Sequence, residues 1–119
     1  MDKKFYITTP IYYPSAKPHM GHAYSSIIAD FFARFKRMDG FDVQFLTGTD
    51  EHGLKIQRSA EKQNIDPLEF CNQISQTFRD LSQTLNLTNT DFIRTTEDRH
   101  KKTVQHLWNE LEKNDDIYL

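Results

Sequence analysis

The sequence predicts an α/β protein in which helices flank a parallel sheet. An aromatic and β-branched run at residues 5–9 and a second run at residues 43–46, bounded by Gly40 and Gly48, are typical of strands. Between them, apolar residues recur at four-residue spacing over residues 23–38, which indicates an amphipathic helix. A strand–helix–strand order of this spacing predicts a βαβ unit, and such units build parallel sheets.

The second half of the chain predicts further helices and a short strand. A weaker helical pattern covers residues 53–63. A clear helix starts at Asp66, where Pro67 takes the first helical position and Glu69 closes a capping box. Residues 91–94 are expected to form a short extended piece.

A last helix is expected to be capped by Thr95 and Asp98. Each of the three strongest helical patterns has an apolar stripe that we expect to be buried. The stripes consist of Ala23, Ile27, Ile28, Phe31, Phe32 and Phe35; of Phe70, Ile74, Phe78, Leu81 and Leu85; and of Val104, Leu107, Trp108 and Leu111.

Composition is that of an ordinary globular protein and narrows the class of partners. The 119 residues suit one domain, and 37% of them are hydrophobic. Fifteen basic against seventeen acidic residues argue against a free-standing module that coats nucleic acid. The lone Cys71 excludes an internal disulfide framework and suits a reducing compartment. Because no membrane-length apolar run and no signal peptide are visible, we expect a cytoplasmic protein without membrane or DNA partners.

Residues 12–22 organise the chain, because they join the first strand to the first helix. Pro14 and Pro18 keep the residues before them out of the α region, so the helix is expected to start only after Lys17. A helix that starts there directs unpaired backbone N–H groups and the positive end of its dipole at the loop, which makes a phosphate site. The segment consists of Tyr12, Tyr13, Pro14, Ser15, Ala16, Lys17, Pro18, His19, Met20, Gly21 and His22.

Two histidines mark the end of this segment. His19 and His22 are three residues apart, which places them on one face of the first helical turn. Gly21 has no Cβ, so a flat ligand ring could lie against the backbone there. Ordinary surface polarity would also explain the pair. Zinc ligation is a further alternative, although helical zinc pairs usually have i,i+4 spacing and no third ligand is near.

A second polar segment, residues 47–53, directly follows the second strand. In an open parallel sheet it lies at the carboxyl edge, beside the loop after the first strand, where ligands bind. Asp50 is suited to anchor the ammonium group of a substrate. Glu51 and His52 are less specific, and a turn followed by a helix cap would also explain the segment.

The two segments and their surroundings resemble a known enzyme family. Residues 19–22 resemble the first signature of class I aminoacyl-tRNA synthetases, the "HIGH" motif, with Met20 at a variable apolar position. Residues 6–13, 45–53 and 91–96 are similar to the corresponding segments of methionyl-tRNA synthetases. The resemblance covers nearly the whole chain. It implies a Rossmann-like parallel sheet with flanking helices, the first half of a class I synthetase nucleotide-binding fold.

The resemblance implies a methionine–tRNA ligase, which uses ATP with Mg²⁺ to activate methionine as methionyl-adenylate and transfers it to tRNA(Met). It assigns ATP binding to His19, Gly21 and His22, with both histidines catalytic through stabilisation of the transition state. Lys17 is a further candidate for phosphate binding, or else an ordinary exposed loop lysine.

A methionine-binding site is implied as well. By resemblance, Asp50 would bind the amino group, and Tyr13 would close over the amino-acid side chain unless it packs in the core as a strand-end aromatic residue. Pro10 and Ile11 would line the same pocket. His52 would either line the pocket or orient Asp50.

Residues 1–119 are expected to be the N-terminal half of the Rossmann-like catalytic domain. The connective insertion, the second half, the anticodon-binding domain and the "KMSKS" signature of the resembled family have no counterpart in this sequence. We therefore expect a fragment that lacks full activity alone and has no metal site, with any structural zinc confined to the absent insertion.

Two alternatives remain open. A small nucleotidyltransferase could use the same histidine loop to transfer AMP or CMP, although residues 47–53 fit it poorly. A truncated domain could bind nucleotide weakly without catalysis. In addition, a basic cluster near the last helix would be either a solvated face or a contact for the tRNA acceptor end; it consists of Arg94, Arg99, His100, Lys101 and Lys102.

Overall fold

A computed structural model describes residues 3–118 and shows three parallel strands and four helices within them. The strand order is β1-β2-β3, so the α/β class and the parallel sheet are as predicted. The elements are β1 (Lys4–Thr8), α1 (Met20–Met38), β2 (Asp42–Thr49), α2 (Leu54–Gln63), α3 (Pro67–Thr84), β3 (Asp91–Arg94) and α4 (Asp98–Lys113).

Local sequence signals set several helix ends. Gly40, with a φ of +80°, follows the C-cap of α1, where a left-handed residue is needed and glycine adopts it without strain. The carboxylate of Asp66 accepts the N–H groups of Leu68 and Glu69 at the start of α3, as predicted. The Glu69 carboxylate accepts a hydrogen bond from Gln73 instead of closing the expected capping box.

The predicted cap of α4 is wrong. The N-cap residue is Glu97, and its side chain makes no capping hydrogen bond. The hydroxyl of Thr95 instead accepts the backbone N–H of Glu51, which comes from the end of β2. The Thr95 hydroxyl, which the local pattern assigned to the helix cap, thus binds the N–H of a residue that is distant in the sequence.

The buried face of α1 also differs from the prediction. Its small and polar side turns inward and packs against Val43 and Phe45 of β2, because residues without bulk allow the helix to approach the sheet closely. The buried residues are Ala23, Ser26, Ala29, Asp30 and Ala33. The larger residues of the predicted stripe are 40–63% exposed: Ile27, Ile28, Phe31, Phe32 and Phe35.

Most of the predicted stripe of α4 is exposed too, since Leu111 is half-buried and no residue of this helix is buried. Val104, Leu107 and Trp108 are each about half exposed. In contrast, the stripe of α3 is confirmed, since Phe70 and Phe78 are buried in the core. Despite the apolar faces of α1 and α4, no helix within residues 3–118 is long and apolar enough to cross a membrane.

Asp30 joins α1 to the loop that leads into β3. Its Oδ1 accepts the backbone N–H of Thr88 at 2.7 Å and the Thr88 hydroxyl at 2.6 Å, while its Oδ2 accepts Arg34 Nε at 2.6 Å. Burial alone would raise the pKa of this carboxyl, but the hydrogen bonds from Arg34 and Thr88 outweigh it and lower the pKa. Asp30 is therefore ionised and anchors the loop.

We expect Asp30→Asn to destabilise the fold by about 1–2 kcal/mol at pH 7. The amide oxygen can still accept from Thr88, but the amide nitrogen cannot accept from the half-exposed Arg34. The lowered pKa means that the carboxylate stabilises the fold above the ordinary carboxyl range, and this contribution is lost as the pH falls through the folded-state pKa. Urea unfolding at pH 7 and below pH 3 measures both effects; a difference that persists undiminished in acid would contradict them.

Candidate active site

Tyr12 ties the loop after β1 to the end of β2. Its backbone N–H donates to the carbonyl of Gly48 at 3.0 Å, and its own carbonyl accepts the N–H of Asp50 at 2.8 Å. These bonds form a parallel bridge between Tyr12 and Thr49 beyond the last pair of β1 and β2. The two segments that the sequence singled out therefore lie side by side at the carboxyl edge of the sheet.

The side chain of Tyr12 reaches the start of α1. Its ring is buried, and its hydroxyl lies 2.8 Å from Ser26 Oγ and donates to the carbonyl of His22 at 3.2 Å. Because backbone and side chain act together, the tip of β2 and the first turn of α1 are held in one fixed relation.

His19 and His22 cap the helix on which they lie. His19 is the N-cap, and its Nδ1 accepts the N–H of Gly21 at 3.0 Å, while Nδ1 of His22 accepts the N–H of His19 at 3.0 Å. The ring centroids are 3.9 Å apart, so the predicted proximity of the pair is observed. A neutral ring whose Nδ1 accepts carries its proton on Nε2, which leaves Nε2–H as the donor available on each histidine.

Gly21 makes this arrangement possible. A Cβ at this position would lie 2.9 Å from Cε1 of His19, closer than real Cβ contacts. The ring of His19 thus lies against the backbone of Gly21. The helix starts at Met20, so His19 caps the first turn and His22 lies within it.

Aromatic rings enclose His22. Its ring meets Tyr12 edge-on at 4.9 Å between centroids and Phe78, from α3, edge-on at 5.0 Å. Burial, and next the charge of a protonated His19, lower the pKa of His22. Both causes favour the neutral imidazole at pH 7, so His22 is available as a neutral hydrogen-bond donor.

Tyr13 bridges the two loops. Its hydroxyl donates to the carbonyl of His52 at 2.8 Å, and its ring packs beside the buried cluster that contains Ile56 and Phe70. Gly53 has a φ of +108°, and a Cβ there would lie 2.7 Å from the Tyr13 hydroxyl oxygen. Tyr13 is therefore half-buried at the edge of the core, and its role over the amino-acid side chain stays a prediction.

The other predicted ligand residues lie on the loops that follow β1 and β2. Asp50 is half-buried, and the His52 ring makes its hydrogen bond with the carbonyl of Thr95 at 3.3 Å, not with Asp50. Lys17 is exposed. Pro10 lines a cleft beside α1, whereas Ile11 lines one beside β3.

Glu51 and Arg94 form an ion pair that the sequence did not indicate. Arg94 donates from Nε to Oε1 of Glu51 at 2.7 Å and from Nη2 to Oε2 at 3.0 Å. Two members of the predicted basic cluster are thus paired with carboxylates, since Arg99 is paired with Asp91 and Glu97. An acidic residue two positions after a buried strand was the available signal, but it did not reveal its partner.

The donor set of the site suits a phosphate better than a metal ion. Within residues 3–118 there is no group of three or more His, Cys, Asp or Glu side chains that could hold a metal. Two Nε2–H donors instead lie at the positive end of a 19-residue helix. Such an end attracts anions through its dipole, while the N–H groups of Gly21, His22 and Ala23 are already bonded to His19.

Comparison with known sequences gives consistent results. The family model "tRNA synthetases class I (M)" matches residues 5–119. The chain is 54% identical over 118 residues to the methionine–tRNA ligase of Rickettsia conorii, covering 99% of this chain and 23% of that protein. It is 56% identical over 110 residues to the mitochondrial methionine–tRNA ligase of Takifugu rubripes, covering 92% of this chain and 19% of that one. The chain thus spans about a fifth to a quarter of the length of these relatives.

Solved structures show the same fold. The chain superposes on Mycobacterium tuberculosis methionyl-tRNA synthetase, solved in complex with methionyl-adenylate, with a TM-score of 0.94 and 44% identity, over 98% of this chain and 23% of that one. A LeuRS–tRNA–LeuAMS complex from Agrobacterium radiobacter K84 shares the fold alone, at a TM-score of 0.83 and 24% identity, over 98% of this chain and 15% of that one. The predicted Rossmann-like fold is confirmed, and the chain belongs to the family of class I tRNA synthetases (M).

Proposed function

We propose that this chain supplies the ATP-binding and methionine-binding edge of a methionine–tRNA ligase. The enzyme would form methionyl-adenylate from methionine and ATP and transfer the methionyl group to tRNA(Met). One observation carries the proposal: Tyr12 joins the histidine turn to the Asp50 loop, so the proposed phosphate site and the segment that carries Asp50 lie together at one sheet edge. The relatives named methionine–tRNA ligase and the methionyl-adenylate complex of a neighbour give further support.

The chemistry requires two anions to be held together. A carboxylate oxygen of methionine attacks the α-phosphorus of ATP, a new oxygen–phosphorus bond forms, and the bond to pyrophosphate breaks. His19 and His22 would donate Nε2–H groups to phosphate oxygens. These hydrogen bonds strengthen as charge shifts onto the phosphate oxygens in the transition state. Lys17 is a candidate for steering the phosphates, and Mg²⁺ would be bound mainly through the phosphates of ATP.

Asp50 is the proposed anchor of the methionine ammonium group. Its backbone N–H is held by the carbonyl of Tyr12, the residue whose ring also contacts the start of α1. Tyr13 would cover the thioether side chain, which needs a shape-fitted apolar pocket because it carries no charge. Pro10, Ile11 and His52 would complete that pocket together with residues from the rest of the enzyme.

We further propose that residues 1–119 are the N-terminal half of the catalytic domain. β1 lies at an edge of the described sheet, and the aromatic side of α1 is uncovered beside it. A parallel sheet is normally covered on both faces, so further polypeptide is expected to extend the sheet from β1 and cover α1. The relatives are long enough to contain such polypeptide, because the matched segment is about a quarter of their length or less.

In the full-length protein, we expect His22→Ala to slow methionine-dependent ATP–pyrophosphate exchange by about 100-fold or more, the cost of one lost transition-state donor. The Michaelis constant for ATP should change much less. His106→Ala, an exposed position on α4, is the matched control and should keep the wild-type rate. An unchanged rate in His22→Ala would remove this residue from the mechanism, and AMP transfer to an unrelated acceptor would favour a nucleotidyltransferase.

Asp50→Asn should raise the Michaelis constant for methionine by about 10- to 100-fold, because a charge-assisted hydrogen bond to the ammonium group is weakened. The constant for ATP should stay near its wild-type value. The same exchange assay measures both constants, with the exposed Asp80→Asn on α3 as the control. Normal methionine dependence in Asp50→Asn would refute the anchoring role.

A further inference from the structure

Glu51 lies between two of the proposed methionine-binding residues, but its side chain points into the protein. The side chain has 0% exposure. Oε1 accepts from the Thr49 hydroxyl at 2.8 Å and from Arg94 Nε, and Oε2 accepts from Arg94 Nη2 and the Thr96 hydroxyl. Both carboxylate oxygens are thus fully used within the fold, which excludes a direct contact with a substrate.

The backbone of Glu51 is held as firmly as its side chain. Its N–H donates to the hydroxyl of Thr95 at 2.8 Å, and its carbonyl accepts the weak S–H donor of Cys71, with sulfur and oxygen 3.7 Å apart. Burial raises the pKa of Cys71 to about 11, so this thiol keeps its proton and remains a donor. Bonds of these kinds fix the peptide units that Glu51 shares with Asp50 and His52.

Arg94 connects Glu51 to three elements of the fold, β2, β3 and α3. It lies at the end of β3, pairs with Glu51 beyond the end of β2, and donates from Nη2 to the side-chain oxygen of Asn72 on α3 at 2.8 Å. Its side chain is 19% exposed. The loop that carries Asp50 and His52 is therefore held, through Glu51 and Arg94, to the ends of β2 and β3 and to α3.

Stability alone does not account for such a pair. Taking both charges out of water costs about as much as their attraction returns, and apolar packing of the same volume is often as stable. The ion pair instead holds Glu51 and Arg94 in a single arrangement, since a bidentate contact fixes both the distance and the orientation of the two groups. Asp30 offers a comparison, because it is a similarly buried and paired carboxylate that anchors a loop outside the site.

We propose that the Glu51–Arg94 pair positions the methionine-binding loop, so that it sets the affinity for the amino acid without touching it. This inference rests on the proposed function. Displacing a binding group by about 1 Å can cost about 100-fold in rate or affinity, so a loop with two ligand residues needs rigid support. ATP is bound from the other loop, by the turn at His19 and His22, and depends much less on the pair.

The test is Glu51→Gln in the full-length protein, with Asp30→Asn as the matched control. Each variant keeps one oxygen acceptor and loses one acceptor for an arginine. We expect Glu51→Gln to raise the Michaelis constant for methionine by about tenfold and to leave that for ATP within about twofold. Asp30→Asn should leave both constants within about twofold, although it lowers thermal stability. Methionine dependence that is unchanged in Glu51→Gln, or equally raised in both variants, would overturn the proposal.

Thr96→Val keeps the proposal testable if Glu51→Gln does not fold. It removes one hydrogen bond to Oε2 and leaves the ion pair, so we expect a smaller rise of about threefold in the same constant. No rise in Thr96→Val would count against the positioning role. A wild-type protein without methionine-dependent exchange would refute the proposed function itself, whereas an active wild type with insensitive variants would refute only the role of the pair.

Discussion

The candidate site depends on the contacts of one residue, Tyr12. Two backbone hydrogen bonds hold it along the tip of β2, and its hydroxyl group reaches Ser26 and the carbonyl of His22 in α1. The tip of β2 and the start of α1 are far apart along the chain, because the proline-containing loop joins the helix to β1. Because both are attached to Tyr12, through its backbone and its buried ring, the turn of His19 and His22 and the backbone of Asp50 are held in one relation before any ligand arrives.

Two neighbouring carboxylates at this edge have different environments. Asp50 remains half-buried at the sheet edge, whereas Glu51 is enclosed and bound by Arg94 and threonine hydroxyls. Burial would raise the pKa of Glu51, but the hydrogen bonds from Arg94, Thr96 and Thr49 outweigh it, and the net pKa is lowered. Both groups are acids in one short loop, and their surroundings make one of them available to a ligand and the other part of the support.

The sequence allowed prediction of those features that local chemistry decides. The β-prone runs, Gly40 after α1 and the Asp66 cap each depend on a few adjacent residues, and all are observed. The buried side of α1 was not predictable in this way, because its aromatic stripe and its small-residue side are both compatible with packing and the strand decides between them. The pairing of Glu51 with Arg94 and the use of Thr95 by a distant N–H group likewise depend on long-range contacts that no periodic pattern contains.

The double role of the histidines limits how the site can gain positive charge. Nδ1 of His19 and Nδ1 of His22 are acceptors for the N–H groups that begin α1. An imidazolium ring has a proton on each nitrogen, so protonation would place two donors face to face and release the helix start. Acidification would therefore add an ionic attraction for phosphate but weaken the helix start that orients the two rings. In this fold the two rings support the turn only while they are neutral, so a full positive charge there would have to come from another group of the loop, such as Lys17.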